Sequence, residues 1–252
     1  MNYRQAITRR PGKTMGQGLT TADLGAVDFR GATRQYTDYV QALRDLGLAV
    51  FELPSEPAYP DAHFVEDTAI LFDALAIIAR PGAPSRRGEE SSVERFLAHH
   101  RPTVRIQAPG TLDGGDVLVV GNSVFVGLSE RTNRSGFDQL SDFVEPLGYV
   151  CHPIPVGAGL HLKSSVNVIG EKRLLLTRDF EDHISFRGYD KILVPNEEAY
   201  GANVLFIDHT FLVPSGHPKT QRALSDLGSV KTLDMSEMQK MDGGLTCLSL
   251  RF

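Results

Sequence analysis

The chain has 252 residues, of which 41% are hydrophobic and 23% charged, and its formal net charge is −5. Such a composition is typical of a folded globular protein and excludes a disordered chain. Lysine and arginine are scattered without a basic stripe, so we expect no nucleic-acid partner. The longest apolar run, 69–79, contains Asp73 and is too short to cross a bilayer, so we expect no membrane partner.

The predicted elements repeat in the order strand, strand, helix, strand. The first complete unit has strands over 69–72 and 75–79, a helix over 89–98 and a strand over 103–107. Three further units are predicted: 117–120, 123–127, 133–147 and 149–154; then 166–169, 173–177, 179–186 and 191–194; then 203–207, 210–213, 218–227 and 229–233. A spacing of roughly 37 to 49 residues between first strands is typical of propeller repeats.

The two ends of the chain together supply a fifth unit. A strand over 3–8, a helix over 33–46 and a strand over 48–53 lack one strand, which the apolar segment 245–251 can provide. The sequence therefore predicts an α/β fold in which residues 1–252 form a single domain, a five-bladed propeller closed by its N- and C-terminal strands. An open α/β sheet with hairpins is the alternative that these patterns leave open.

The two cysteines, Cys151 and Cys247, are too few for a disulfide framework. The N-terminus shows no secretory signal, so we expect a reducing, cytoplasmic location. Cys247 follows Gly243 and Gly244, which would let a substrate approach closely, and a thiolate can attack electrophilic carbon. A buried structural cysteine is the alternative for Cys247. Cys151 lies in a predicted strand without a glycine turn, and we expect it to be inert.

A nucleophilic cysteine needs a partner that transfers protons. Among the eight histidines, His161 is the best candidate because it follows Gly157 and Gly159 at the mouth of a predicted hairpin. A surface or structural histidine is the alternative, since a single histidine in a loop does not define a site.

Carboxylates stand directly before two of the predicted apolar strands. These residues are Asp61, Glu66 and Asp67 before the strand over 69–72, and Asp113 and Asp116 before the strand over 117–120. Burying such groups is costly unless they are paired, and a guanidinium is a natural bidentate partner. Internal salt bridges to Arg86, Arg87 or Arg131 are the alternative. A metal ion is less favoured because no cluster has a recognised ligand spacing.

Seven segments in this order resemble those of the dimethylarginine dimethylaminohydrolases, a family of guanidine-modifying hydrolases: FVEDTAI, RPGAPSRRGE, APGTLDGGDVLVVG, VGLSERTN, GLHLKS, YGANVL and MDGGLTCLS. The resemblance spans nearly the whole chain. It implies a five-bladed propeller with pseudo-fivefold symmetry, and hydrolysis of dimethyl- and monomethylarginine to citrulline and a methylamine through a covalent cysteine intermediate. It implies a small-molecule substrate and no metal or organic cofactor. We also expect that two copies can pair as a homodimer.

The resemblance places the family's functional residues on particular positions of this chain. The nucleophile falls on Cys247, the acid–base histidine on His161, and its acidic partner on Asp113, where some members carry glutamate. Residues that contact substrate fall on Leu19, Asp61, Phe64, Glu66, Asp67, Arg86, Arg131 and Met241. Among these, Glu66 and Asp67 would bind the guanidinium with Asp61 nearby. Arg86 and Arg131 would hold the amino-acid end, and Leu19 would belong to a lid.

Other functions stay open on the sequence. An arginine deiminase would use the same residue roles and release ammonia, although that class is usually longer and carries Arg-Asp at the position of FVED. A protein that binds methylarginine without turnover would not need Cys247, His161 and Asp113 together. An amidinotransferase would need a second amine site.

Overall fold

The computed structural model describes residues 3–157 and 161–252, and these residues form five sheets of three strands each. The strands are β1 Gln5–Arg9, β2 Ala49–Leu53, β3 Ala69–Leu71, β4 Ala76–Ile78, β5 Thr103–Arg105, β6 Val117–Val120, β7 Ser123–Leu128, β8 Val150–Pro155, β9 Val166–Gly170, β10 Arg173–Leu176, β11 Asp190–Leu193, β12 Leu205–Ile207, β13 Thr210–Pro214, β14 Ser229–Leu233 and β15 Leu250–Arg251. The helices are α1 Phe29–Asp45, α2 Glu90–Leu97, α3 Arg134–Val144, α4 Pro218–Ser225 and α5 Ser236–Gln239.

All five sheets share one strand order. The middle strand runs antiparallel to one neighbour and parallel to the other, as in β3–β4–β5, and in the blade that joins the chain ends β15 takes the place of the first strand. A parallel partner requires a crossover, which explains the helix expected between the second and third strands. The predicted five-bladed propeller is therefore confirmed. In the first blade, β1 pairs with β15 and β2, so both ends of the chain lie in one sheet.

Five hydrophobic clusters join the blades in pairs around the ring. One cluster lies between the blades β3–β5 and β6–β8, and it includes Ile77, Val124 and Leu140. The other four clusters join the remaining neighbouring pairs, including the last blade to the first. The apolar core thus forms a ring, and the turns at its centre are free to carry polar residues. No helix within the described residues combines the length and apolar character needed to cross a membrane.

The structure corrects several predicted elements. The helix predicted over 179–186 is wrong, because two single-turn 3₁₀ helices, Arg178–Phe180 and Ile184–Phe186, occupy this segment. Phe180 and Phe186 are both buried, and residues six apart cannot share one face of an α-helix. Helix α1 begins four residues before its predicted start, where the Asp28 side chain accepts a hydrogen bond from the Arg30 N–H.

The C-terminal strand is shorter than predicted. Only Leu250–Arg251 are paired as a strand, and a 3₁₀ turn, Thr246–Leu248, precedes them. Asn203 holds this turn, since its side-chain oxygen accepts from the Thr246 N–H at 3.0 Å. Cys247 therefore lies on a turn at the centre of the ring and not inside a strand.

Candidate active site

Four 3₁₀ turns meet at the centre of the ring, each just before the first strand of a blade. They are Val65–Thr68 before β3, Gly114–Asp116 before β6, Leu162–Ser164 before β9, and Thr246–Leu248 before β15. Neighbouring turns contact one another. Together with their first flanking residues, they carry Glu66, Asp67, Asp113, His161 and Cys247. The repeat of the fold therefore brings together polar residues that are far apart in the sequence.

Nine of the eleven predicted site residues line one small cavity. They are Leu19, Asp61, Phe64, Asp67, Arg86, Arg131, His161, Met241 and Cys247. Asp242 and Gly243, which the sequence analysis did not assign to substrate binding, complete the lining. The other two predicted residues lie behind the lining: Asp113 behind His161, and Glu66 behind the turn that bears Cys247. Gly159, which we used to select His161, lies outside the described residues.

His161 and Asp113 form a buried pair. The imidazole Nε2 lies 3.1 Å from Asp113 Oδ2, and Asp113 Oδ1 accepts from the Gly82 N–H at 2.9 Å. Nδ1 of His161 lies 3.9 Å from Asp67 Oδ1. Burial lowers the pKa of His161, but Asp67, the hydrogen bond to Asp113 and the charge of Asp116 outweigh it and raise the pKa to about 9. The imidazole is therefore protonated at neutral pH and can donate a proton.

Asp67 is held in a fixed orientation by protein groups. Arg86 Nη1 donates to its Oδ2 at 2.6 Å, and the Gly115 N–H donates to its Oδ1 at 2.9 Å. Burial raises the pKa of Asp67, but His161 and Arg86 overcome this and lower it to about 2. Asp67 is thus ionised on the cavity wall. The internal salt bridge that the sequence left open is formed, with Arg86 as the partner.

The two arginines of the cavity differ in what they bind. The Arg86 guanidinium is buried and donates to Asp67, to Glu89 and to the Phe64 carbonyl. The guanidinium of Arg131 is partly exposed, and it makes no hydrogen bond or ion pair with any described part of the chain. Arg131 is therefore the cation that is available to a ligand, whereas Arg86 chiefly organises the protein.

Cys247 is a neutral thiol in this environment. Its Sγ accepts a hydrogen bond from the Gly244 N–H at 3.4 Å. Burial, followed by the negative charges of Glu66 and Asp67, raises the pKa of Cys247 to about 12. Cys151 lies half-buried in β8 and lines neither the small cavity nor the outer cavity described below. The structure thus places Cys247, and not Cys151, among the polar residues of the site.

Glu66 lies on the far side of the turn that carries Cys247. Its Oε2 accepts from the Thr246 hydroxyl at 2.7 Å, and its Oε1 accepts from Lys163 Nζ at 2.7 Å and Arg251 Nη2 at 3.2 Å. Sequence reasoning missed Lys163, Thr246 and Arg251. The only available signal was general: a buried carboxylate requires a cation, but the sequence does not say which one.

The loop that contains Leu19 covers the cavity. The Leu19 N–H donates to both oxygens of Asp61 at 3.1 Å, and the Thr20 hydroxyl donates to the Lys240 carbonyl at 2.9 Å. Thr21 donates to Asp242 through both its N–H and its hydroxyl. In this closed state the cavity measures about 20 Å³, room for one water molecule. An outer cavity of about 650 Å³, which Cys247 also lines, lies beside it.

Three of these groups could approach a metal ion. Ligand atoms of Asp67, Asp113 and His161 lie within 4.8 Å of one another. Arg86 and the Gly115 N–H already occupy the oxygens of Asp67, and Asp113 is bound to Gly82 and His161. The cluster is therefore arranged for hydrogen bonding within the protein and for contact with a cationic ligand.

A five-bladed ring with a thiol, a protonated imidazole and carboxylates at one central cavity defines a protein of the guanidine-modifying class. The model of the family "N,N dimethylarginine dimethylhydrolase, eukaryotic" matches residues 27–185. The N(G),N(G)-dimethylarginine dimethylaminohydrolase of Pseudomonas aeruginosa is 35% identical over 99% of this chain and 100% of its own length. That of Streptomyces coelicolor is 37% identical over 100% of this chain and 98% of its own length.

The solved structures agree with the sequence relatives. The Pseudomonas aeruginosa protein, as a cysteine-to-serine mutant complexed with citrulline, superposes with a TM-score of 0.98. It is 34% identical to this chain, and the match covers 100% of both chains. The chain therefore belongs to the dimethylarginine dimethylaminohydrolase family, which confirms the resemblance seen in the sequence.

Proposed function

We propose that this protein hydrolyses Nω,Nω-dimethyl-L-arginine and Nω-methyl-L-arginine to L-citrulline and dimethylamine or methylamine. One observation carries the proposal: Cys247, protonated His161 and ionised Asp67 line the same closed cavity. The named activity of the relatives that match the full chain supports it. In this proposal Cys247 is the nucleophile, His161 the acid and base, and Asp113 the residue that orients the imidazole.

Substrate binding follows from the charges of the cavity. The guanidinium would pair with Asp67 and Asp61, and the α-carboxylate with Arg131, whose guanidinium has no partner in the described chain. Phe64 and Met241 supply apolar surface for the alkyl chain. Arg86 acts mainly by fixing Asp67. Since the closed cavity is too small for an amino acid, the Leu19 loop opens for each substrate molecule.

Binding also prepares the nucleophile. The free thiol is protonated because burial and two nearby carboxylates raise its pKa. A bound guanidinium offsets those negative charges and brings a positive charge close to the sulfur, so the thiol releases its proton to solvent more easily. The Cys247 thiolate then attacks the guanidinium carbon, and a C–S bond forms.

His161 completes both halves of the reaction. It gives its proton to the methylated nitrogen, the C–N bond breaks, and dimethylamine departs. A planar S-alkylthiouronium remains on Cys247. The neutral imidazole then takes a proton from water, and the oxygen attacks the same carbon. The C–S bond breaks, the proton of the added hydroxyl passes to the sulfur as the carbonyl forms, and citrulline is released with the thiol restored. Asp113 stabilises the imidazolium that exists before and after the two steps.

The test is to incubate the purified protein with dimethylarginine and, separately, with arginine, and to measure citrulline, dimethylamine and ammonia. We expect citrulline and dimethylamine in equal amounts from dimethylarginine. Citrulline and ammonia from arginine alone would instead support an arginine deiminase. Binding of dimethylarginine without citrulline would support the non-catalytic alternative.

Further properties of the chain stay predictions. We infer that residues 1–252 act as one domain, because the first sheet contains strands from both ends of the chain. Pairing into a homodimer, a cytoplasmic location and the lack of a nucleic-acid partner rest on the sequence and the resemblance alone. Sedimentation analysis of the purified protein would measure the oligomeric state.

A further inference from the structure

A second cavity lies behind the nucleophile-bearing turn. It measures about 330 Å³, and Glu66, Lys163, Thr246 and Arg251 contribute to its lining. This cavity and the small substrate cavity share no lining residue. The wall between them is formed by the turns that carry Glu66 and Thr246, whose side chains are joined by a hydrogen bond of 2.7 Å.

Glu66 connects this wall to Cys247. Its carboxylate is 2% exposed and binds the hydroxyl of Thr246, the residue directly before Cys247. A negative charge at this place opposes ionisation of the thiol. The Lys163 ammonium lies on the other oxygen of Glu66 at 2.7 Å, and the positive charge of Lys163 favours the thiolate. Arg251 shares that oxygen at 3.2 Å and donates to the carbonyls of Thr246 and Ser249.

We propose that Lys163 is a positioning residue for the reaction: through its ion pair with Glu66 it offsets the carboxylate behind Cys247 and keeps the sulfur able to ionise. Lys163 lines the rear cavity only, so it does not touch substrate in this arrangement. The effect of Lys163 on the reaction rests on the proposed function. The ionisation of the Cys247 thiol, however, can be measured without any turnover.

Several other charged or titratable groups face Cys247. Asp67 approaches from the turn before β3, His161 from the turn before β9, and Tyr200 from the turn before β12. Across the two cavities that Cys247 lines are Asp61, Arg86, Arg131, Glu130, Asp179 and Asp242. All of these groups stay unchanged in the variants below.

The experiment measures the rate at which iodoacetamide alkylates Cys247 at pH 8, with mass spectrometry of the peptides separating Cys247 from Cys151. Below its pKa, the thiol reacts in proportion to its thiolate fraction. We expect Lys163→Met to slow alkylation about tenfold and Glu66→Gln to accelerate it about tenfold, as a shift of about one pKa unit requires. Lys163→Arg should stay within about twofold of the parent protein, because it keeps the positive charge.

Lys172→Met is the matched control, because Lys172 is exposed in the turn between β9 and β10 and should not change the rate. Opposite effects of Lys163→Met and Glu66→Gln support the proposal. A purely structural role would loosen the site and accelerate alkylation in both variants, and that result, or unchanged rates in both, overturns it. If Lys163→Met does not fold, an unchanged rate in Glu66→Gln overturns the proposal by itself.

Steady-state kinetics separates this inference from the proposed function. If both hold, Lys163→Met lowers kcat on dimethylarginine about tenfold and leaves KM within about twofold. If the proposed function is wrong, the parent protein yields no citrulline while the opposite alkylation effects persist. A normal kcat in Lys163→Met, in a parent protein that is active, contradicts the inference and leaves the proposed function intact.

Discussion

Glu66 and Asp67 are adjacent in the sequence, and both are buried, but they serve different sides of the ring. Asp67 lies on the wall of the substrate cavity with Arg86, the Gly115 N–H and His161 around it. Glu66 points to the rear cavity, where Lys163, Arg251 and Thr246 bind it. Consecutive residues of a 3₁₀ turn point in different directions, so one short turn can supply charge to two compartments.

The difference teaches how a buried pair of like charges is tolerated. Each carboxylate has its own cation, and the two cations come from different elements. At the cavity that Cys247 and His161 line, Arg86 is held by Glu89 and pairs with Asp67. Asp67 therefore keeps its negative charge and its orientation without a ligand. We infer that Asp67 is a permanent binding group for a cation, whereas Glu66 influences the site only through the turn that carries Cys247.

Replacing the sulfur that both carboxylates influence should have the greatest effect on turnover. Cys247→Ser should lower citrulline formation by about 10⁴-fold or more, because an alcohol is a far weaker nucleophile than a thiolate. Cys151→Ser is the matched control and should stay near the parent activity, since Cys151 lies in β8 and lines neither the substrate cavity nor the outer cavity. An inactive Cys151→Ser together with an active Cys247→Ser would show that the assignment is wrong.

The second prediction compares the adjacent carboxylates directly. On a Cys247→Ser background, Asp67→Asn should weaken dimethylarginine binding by roughly 10- to 100-fold, because a charge-assisted contact contributes about 1.5–3 kcal/mol. Glu66→Gln should change the same affinity by less than about threefold, since Glu66 does not line the substrate cavity. Isothermal titration calorimetry measures both, and thermal melting checks the fold. Equal losses of dimethylarginine affinity in the two variants would contradict the conclusion that Asp67, and not Glu66, faces the substrate.

The third prediction concerns the pH dependence of turnover. His161 must be protonated to donate to the leaving amine, so kcat, which reports the substrate complex in which the bound guanidinium has already favoured the thiolate, should fall as pH rises through about 9, the raised pKa of His161. Burial lowers the pKa of His161, and the negative charge of Asp67 makes the largest contribution that raises it. In Asp67→Asn the pKa of His161 should therefore be lower, and the fall in activity should begin at lower pH. The residual activity of that variant can be followed by citrulline release. A fall at the same pH in both proteins would contradict the electrostatic coupling of Asp67 to His161.

The smallest expected effect concerns the loop that closes the substrate cavity. Asp242→Asn weakens the contacts to the Thr21 N–H and hydroxyl, so the Leu19 loop should open more often. We expect KM to rise a few-fold and kcat to change little, and cleavage by a non-specific protease within residues 15–24 to become faster. A substrate analogue should slow that cleavage in the parent protein. Cleavage that saturating analogue does not change would count against a lid.

The sequence predicted the local parts of the site more successfully than their partners. Cys247 and His161 could be selected because glycines precede each of them, and the acidic residues because they stand before apolar strands. The family resemblance added Leu19, Phe64, Arg131 and Met241, which now line the same cavity. No local sequence pattern shows that Arg86 binds Asp67 and Glu89 within the protein, or that Glu66 lies outside that cavity. Both depend on how side chains are oriented within a turn.

The repeat could be predicted from local sequence patterns alone. Alternating strand and helix patterns at regular intervals predict five similar units, and the strand pattern at each end is consistent with the pairing of the two ends that the structure shows. These are properties of neighbouring residues, because periodicity records which face of an element is buried.

Which cation neutralises which carboxylate follows from the three-dimensional arrangement of the blades. Lys163 and Arg251 are 97 and 185 residues away from Glu66 in the sequence. They reach Glu66 because closure of the ring brings the turn before β9, strand β15 and the turn before β3 together at its centre. Burial at the centre of the ring lowers the pKa of His161 and raises that of Cys247, and carboxylates from other blades raise both, to about 9 and about 12. Electrostatic interactions depend on distance in space and on burial, and neither quantity can be obtained from spacing along the chain.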